Sequence, residues 1–280
     1  MSVMDLRSIT IIGGQELRGT WRNRWFLLHA LVFGGLAFLL SAMGLAALGR
    51  FGITGFGRTA ASLLHLVMVL VPLMGLLMGA MSIAVEREHG TLLTLMAQPV
   101  TSGEVLLGKF LGRAAALTGA ILLGFGASGL VIARAVGVEQ LGTFLSLAGW
   151  TVLLGIAQLA LGFFLSTCVR RGATALGLAL ACWLVIVLLS DLGMMGAAVA
   201  LRLTPAQLLW VSLANPAQAF KLAAIGSNQA ALESLGPAGR FAADALGPWL
   251  MAVVAGLLVC WTIGALAGAW RLLQRRGAMG

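Results

Sequence analysis

Glu86-Arg87-Glu88-His89-Gly90-Thr91-Leu92-Leu93-Thr94-Leu95-Met96-Ala97-Gln98-Pro99 runs directly into Val100-Thr101-Ser102-Gly103-Glu104-Val105-Leu106-Leu107-Gly108-Lys109. A long apolar run lies on either side of it. The charged Glu86-Arg87-Glu88 ends the first run, and Gly90-Thr91 permits a turn. Leu92, Leu93, Leu95 and Met96 give a short helix one apolar face, and Pro99 stops it. Thr101 and Glu104 have the spacing of a capping box, so a second helix starts there and carries Lys109 into the next apolar run. The pattern predicts a span, a short helix lying along the membrane surface, and a span capped at its start.

Composition sets the frame for that reading. Of 280 residues, 60% are hydrophobic and 10% charged, and the mean hydropathy is +1.01. A soluble domain carries about a quarter charged residues. The chain is therefore expected to be an integral membrane protein, and its long continuous apolar runs favour helices over a barrel. Cys168, Cys182 and Cys260 are far apart and lack metal-ligand spacing, which points to packing thiols.

Six spans are expected near 25–48, 61–84, 110–133, 143–167, 172–190 and 248–270, each long enough to cross about 30 Å of hydrocarbon. Pro72 should kink the second, and a tight turn at Arg170-Arg171 makes a hairpin of the fourth and fifth. Twelve basic residues fall on one side: Arg7, Arg18, Arg22, Arg24, Arg87, Lys109, Arg113, Arg170, Arg171, Arg271, Arg275 and Arg276. Six fall on the other: Arg50, Arg58, Arg134, Arg202, Lys221 and Arg240. The bias places both termini and the Glu86–Lys109 stretch in the cytoplasm. The net charge of +9 is thus a topology signal, not a nucleic-acid footprint.

Residues 1–24 form an interfacial amphipathic segment in which Gly13-Gly14 is expected to break the helix. The external segment 191–247 is too apolar for a plain loop. Met194–Leu203 and Pro205–Ile225 both have helical character, either as a re-entrant hairpin or as helices lying on the surface. Gly75/Gly79, Gly108/Gly112 and Gly264/Gly268 have the spacing that lets helix backbones approach closely.

Gly103–Phe110 fits GxxxxGK, but Phe110 stands where a phosphate-binding loop needs Ser or Thr, and the middle is bulky and helical. No ATP hydrolysis is expected from the chain itself. His29, His65 and Asp191 lie in or at spans, which admits a stand-alone secondary transporter or channel. His65, Met74, Met78 and Met81 are weak candidates for passing a soft metal ion, with core packing favoured.

Glu86, Glu88, Gly90, Thr91, Leu92 and Pro99, followed by Leu106, Leu107, Gly108 and Lys109, resemble the signature of the type-2 ABC exporter permeases. Glu16 with Arg22-Asn23-Arg24-Trp25, the six spans, and Asn215-Pro216 with Phe220-Lys221-Leu222 extend the resemblance over most of the chain. Within the family it is most similar to the branch serving nitrous-oxide reductase maturation. Gln98, Ser102 and Lys221 depart from common family residues.

The resemblance implies an all-α permease domain over 25–280, with residues 1–24 as an elbow helix marked by Glu16, Arg22 and Arg24. It implies a coupling helix at about 88–99, in which Glu86, Glu88, Gly90, Thr91, Leu92, Leu95, Met96 and Pro99 engage a separate cytoplasmic ATPase. It also implies an external hairpin marked by Asn215, Pro216, Phe220 and Lys221. The permease would pair as a homodimer in a bacterial inner membrane. It would bind no cofactor of its own, with ATP and Mg held by the partner, and a periplasmic accessory protein (NosD-like) would serve copper-site assembly. Export of a lipid, drug or other cargo is the alternative within the family, and a membrane scaffold that moves nothing is the alternative outside it.

Overall fold

The apolar runs fold as long helices, because inside lipid a helix pairs every backbone polar group within its own segment. A computed structural model describes residues 5–51, 54–136, 141–190, 192–193, 204–226 and 237–277. We number the helices α1 (Leu6–Arg22), α2 (Arg24–Phe51), α3 (Thr54–Ala80), α4 (Ala84–Glu88), α5 (Thr91–Met96), α6 (Ser102–Val136) and α7 (Leu141–Cys168). Then come α8 (Gly172–Trp183, continuing as a π-helix over Leu184–Leu189), α9 (Pro205–Ala214), α10 (Pro216–Ile225), α11 (Pro237–Leu246) and α12 (Leu250–Gly277). Among the described residues there is no strand.

Six helices are long and apolar enough to cross a membrane. In α3, α6 and α7 half or more of the apolar window is buried, against 22% in α2, α8 and α12. The first three therefore make the core and the others surround it. Glycine sets the closest contact. A Cβ at Gly79 of α3 would fall on the Leu159 carbonyl oxygen, and one at Gly162 of α7 on the Leu76 carbonyl oxygen. Only residues without side chains let these two backbones meet.

The structure corrects or refines four expectations. α1 is one unbroken helix through Gly13-Gly14. Its glycine cost is offset because Gly13 packs on α6, where a Cβ at Gly112 would strike the Gly13 carbonyl oxygen. Helix α3 ends at Ala80, with a turn at residues 81–83 before α4, although the apolar span itself runs on from Ala61 to Glu88. Ile83 and Ala84 are fully buried there, so a backbone turn ends the helix, not the onset of charge.

The turn expected at Gly90-Thr91 is present, with Gly90 at a φ of 73° that favours a residue without a Cβ, and the short helix after it, α5, covers Thr91–Met96, narrower than 88–99. Pro205–Ile225 is two helices, broken at Asn215. The residue before a proline is pushed out of the α region, and Asn215 has φ −97° and ψ 122°. Met194–Leu203 and Asp191 lie outside the described residues.

α10 is inserted among α3, α7 and α12. Its Pro216, Ala217, Gln218, Ala219, Phe220, Leu222 and Ala223 are all buried. This helix is therefore packed among the long helices by its buried residues.

The candidate coupling site

α4 is five residues long, too short to stand alone. Its neighbours hold it. The turn before it places Ile83 and Ala84 against α7, where the Ser166 hydroxyl accepts both of their N–H groups at 2.9 and 2.8 Å. Those are unpaired donors at a helix start. Successive side chains of α4 then reach three different helices.

Glu86 pairs with Lys109 of α6, and the same ammonium pairs with Glu16 of α1. Arg87 donates to the Val169 carbonyl at 2.9 Å and to the Thr167 carbonyl at 3.3 Å, satisfying the C-terminal end of α7. Glu88 accepts the Gly172 N–H at 2.7 Å and so caps the start of α8, where Arg171 supplies no side-chain cap. The reach to Gly172 depends on glycine, since a Cβ there would stand 2.8 Å from Val85 Cγ2.

The Glu16–Lys109 pair belongs to a wider cluster. Arg113, one turn after Lys109, donates to Glu16 Oε2 at 2.9 Å and to the Met78 carbonyl at 2.6 Å. Its guanidinium lies 5.9 Å from the centre of the Phe163 ring. Lys109 is 2% exposed. Burial raises Glu16, but the Arg113 and Lys109 charges and their hydrogen bonds outweigh it and hold its carboxyl below the ordinary value.

Glu104 completes the expected capping box: it accepts the Thr101 N–H at 2.8 Å, and the Thr101 hydroxyl accepts the Glu104 N–H at 3.3 Å. Its other oxygen accepts the Asp5 N–H at 2.7 Å, so the cap of α6 also fastens the start of α1. The first two turns of α6 thus anchor the amphipathic helix at two points and α4 at a third.

The structure brings Glu16, Glu86 and Glu88 together around α4. Thr91 donates its hydroxyl to the Glu86 carbonyl at 3.2 Å. Leu92 is buried and joins the main core, Leu95 is half-buried, and Pro99 is exposed. The Met96 side chain lies outside the described residues. Arg22 and Arg24 are exposed at the α1–α2 joint and take no part in the cluster.

At the other end of the fold, Asn215 caps α10, accepting the Ala217 N–H at 2.8 Å. Phe220 is fully buried and Lys221 half-buried. Lys109, Arg113, Glu104, Arg87 and Ser166 were missed as site residues. The first two carried a signal: cations one turn apart at a span boundary call for carboxylate partners.

The weaker candidates do not converge. His65 is exposed with Nδ1 3.0 Å from the Ala61 carbonyl oxygen, Met74 is buried, Met78 half-buried and Met81 exposed. Sixteen residues of α3 and its following turn separate His65 from Met81, over 20 Å by helical rise. His29 Nδ1 is 2.7 Å from the Trp25 carbonyl oxygen. The GxxxxGK stretch lies wholly within α6 from Gly103 onward, and its Lys109 is committed to two carboxylates.

Residues 10–278 match the family described as ABC-2 family transporter protein. The chain is 37% identical over 273 residues to the "Probable ABC transporter permease protein NosY" of Pseudomonas aeruginosa, covering 95% of this chain and 97% of that protein. It is 36% identical over 272 residues to the protein of the same description from Stutzerimonas stutzeri, again covering 95% and 97%.

Proposed function

The chain belongs to the ABC-2 transporter family as a permease subunit, and from that premise we propose that α4 and α5 couple it to a separate cytoplasmic ATPase. The observation that carries this reading is the reach of Glu86, Arg87 and Glu88 to three different helices. A force applied to the exposed surface around Thr94, Ala97 and Gln98 acts through α4 on α6, α7 and α8 together. The partner supplies ATP and Mg, and this chain supplies the lever and the path.

The rest follows the family. The permease works as a homodimer in a bacterial inner membrane, with both termini and α4–α5 in the cytoplasm. α1 is the elbow helix, and α9–α10 belong to the external hairpin. The likeness to permeases named NosY supports a role in nitrous-oxide reductase maturation, with a NosD-like periplasmic partner and copper-site assembly as its purpose. Export of another cargo is the alternative. A stand-alone transporter is disfavoured, because His29 and His65 each bond the preceding helical turn and His65 faces outward.

The test is co-expression with the ATP-binding-cassette subunit, purification as a complex, and reconstitution. Glu86→Ala with Glu88→Ala, or Leu95→Asp, is expected to cut permease-dependent ATPase stimulation about tenfold or more while the spans stay folded. Normal stimulation in both variants sinks the coupling role. Activity of the purified chain alone in a pH-gradient flux assay would favour the stand-alone transporter.

A further inference from the structure

α8 carries a defect with a partner. Regular α-helix gives way at Leu184 to six residues of π-helix, and the Ser190 N–H bonds the Val185 carbonyl five residues back. Such segments are rare and recur at functional sites.

The burial pattern shows what the π turn accomplishes. Gly172, Ala175 and Ala179 face inward at α-helical spacing. Trp183 then donates its indole N–H to the Val69 carbonyl of α3 at 3.0 Å, and the next buried residue is Val187. Steps of four over-rotate an α-helix by about 40° each. A wider turn restores the face, so Val187 is buried where Ile186 would otherwise lie.

The wider turn also presents the Ile186 carbonyl to the side. It accepts the Asn215 side-chain N–H at 2.8 Å and the Ser190 hydroxyl at 2.6 Å. Gln218 donates to that same hydroxyl at 3.2 Å. Asn215 is the joint between α9 and α10, and its oxygen caps α10 while its nitrogen holds α8. At the opposite end of α8, Glu88 of α4 caps Gly172.

We propose that α8 is a transmission rod: α4 grips one end through Glu88–Gly172, and Asn215 latches the α9–α10 joint to its π-helical end. The distance spanned is about 20 Å by helical rise. An axial displacement or rotation of α8 imposed at Gly172 moves the Ile186 carbonyl, and the latch carries the movement to α10, which is packed between α3, α7 and α12. Asn215 is a positioning residue in this scheme and touches no cargo. The inference rests on the coupling role given to α4 and adds its route to the far side of the bundle.

The experiment uses the permease with its ATPase subunit in nanodiscs, native cysteines replaced by serine. Spin labels at Trp210→Cys on α9 and Leu122→Cys on α6, both exposed, report the hairpin position with and without trapped ATP. Asn215→Asp keeps an acceptor for the Ala217 N–H and has no donor for Ile186, and Asn215→Ser keeps the acceptor on a side chain one bond too short for its hydroxyl to replace the amide N–H at Ile186. Each is expected to reduce the ATP-driven change in label populations about fivefold, the size of one part-buried hydrogen bond. Ser190→Ala, which leaves the α10 cap intact, is expected to have a smaller effect in the same direction.

Combining Glu88→Ala with Asn215→Ser is expected to be no worse than either alone, because the two contacts act in series. Full ATP response in both Asn215 variants, or strict additivity with Glu88→Ala, overturns the rod and leaves the coupling role standing. Absence of any ATP response in the parent complex overturns both.

Discussion

Lys109 places one positive charge between the carboxylates of Glu16 and Glu86, out of contact with water. Lys109→Met removes that charge, leaving Glu16 with Arg113 and taking from Glu86 its Lys109 partner. Breaking a buried pair in this way costs about 3–5 kcal/mol, and thermal unfolding in detergent should register it. Arg170→Ala, at an exposed turn, is expected to stay within about 0.5 kcal/mol of the parent; an equal loss in both variants would contradict the cluster's role.

Acid titration tests Glu16 separately. Its folded-state pKa is lowered, so the stability it contributes is complete above the ordinary carboxylate value. That contribution is lost as pH falls through the lowered one. Protease accessibility of α1 should rise over that acidic window and not between pH 6 and 8. Glu16→Gln should reduce the dependence to the part carried by Glu104, whose carboxyl is also held low by its Thr101 and Asp5 hydrogen bonds.

At the scale of elements, the glycine contacts separate two kinds of small-residue pair. Gly75/Gly79 meet α7 backbone, and Gly108/Gly112 meet α1, whereas in the third pair Gly268 meets only the Phe164 ring of α7 and a Cβ at Gly264 would meet nothing within 4 Å. Gly79→Val is expected to destabilise the protomer by about 1–3 kcal/mol or more, since the obstructing atoms are backbone and cannot rotate away. Gly264→Val should leave protomer stability within about 0.5 kcal/mol of the parent. Paired melting curves decide it: similar losses at the two positions would mean that α3 and α7 are not held by backbone contact.

For the whole molecule, the proposed topology sets α4–α5 and α9 on opposite sides of the membrane. Single cysteines at Ala97 and Trp210, both exposed, should react with a membrane-impermeant maleimide from opposite faces in spheroplasts and inverted vesicles. Labelling of both from one face would refute the orientation drawn from the basic residues. The assignment of α3, α6 and α7 to the core makes a related point. Mutational cost should concentrate there, and α2, α8 and α12 keep wide outward faces.

Local signals in the sequence carried far. Hydropathy alone yields six spans, because hydrocarbon fixes the length of an unbroken apolar helix. The Thr101–Glu104 cap is legible because its atoms are three residues apart. Asn215-Pro216 was legible in the same way, by the restriction a proline places on its predecessor, yet apolar character hid the break. What the sequence could not show is which distant groups meet. Gly13-Gly14 has the composition of a helix break and instead makes a contact surface, because α6 offers Gly108 and Gly112 opposite it. Glu86, Arg87 and Glu88 look like three residues marking the end of a span; folding sends each to a different helix. The Asn215–Ile186 latch depends on a backbone carbonyl that a π turn has swung aside, and no side-chain pattern encodes that. Sequence determined which segments enter the membrane, since that depends on each segment's own transfer energy. Tertiary structure decided what is connected to what, since that depends on partners tens of residues away.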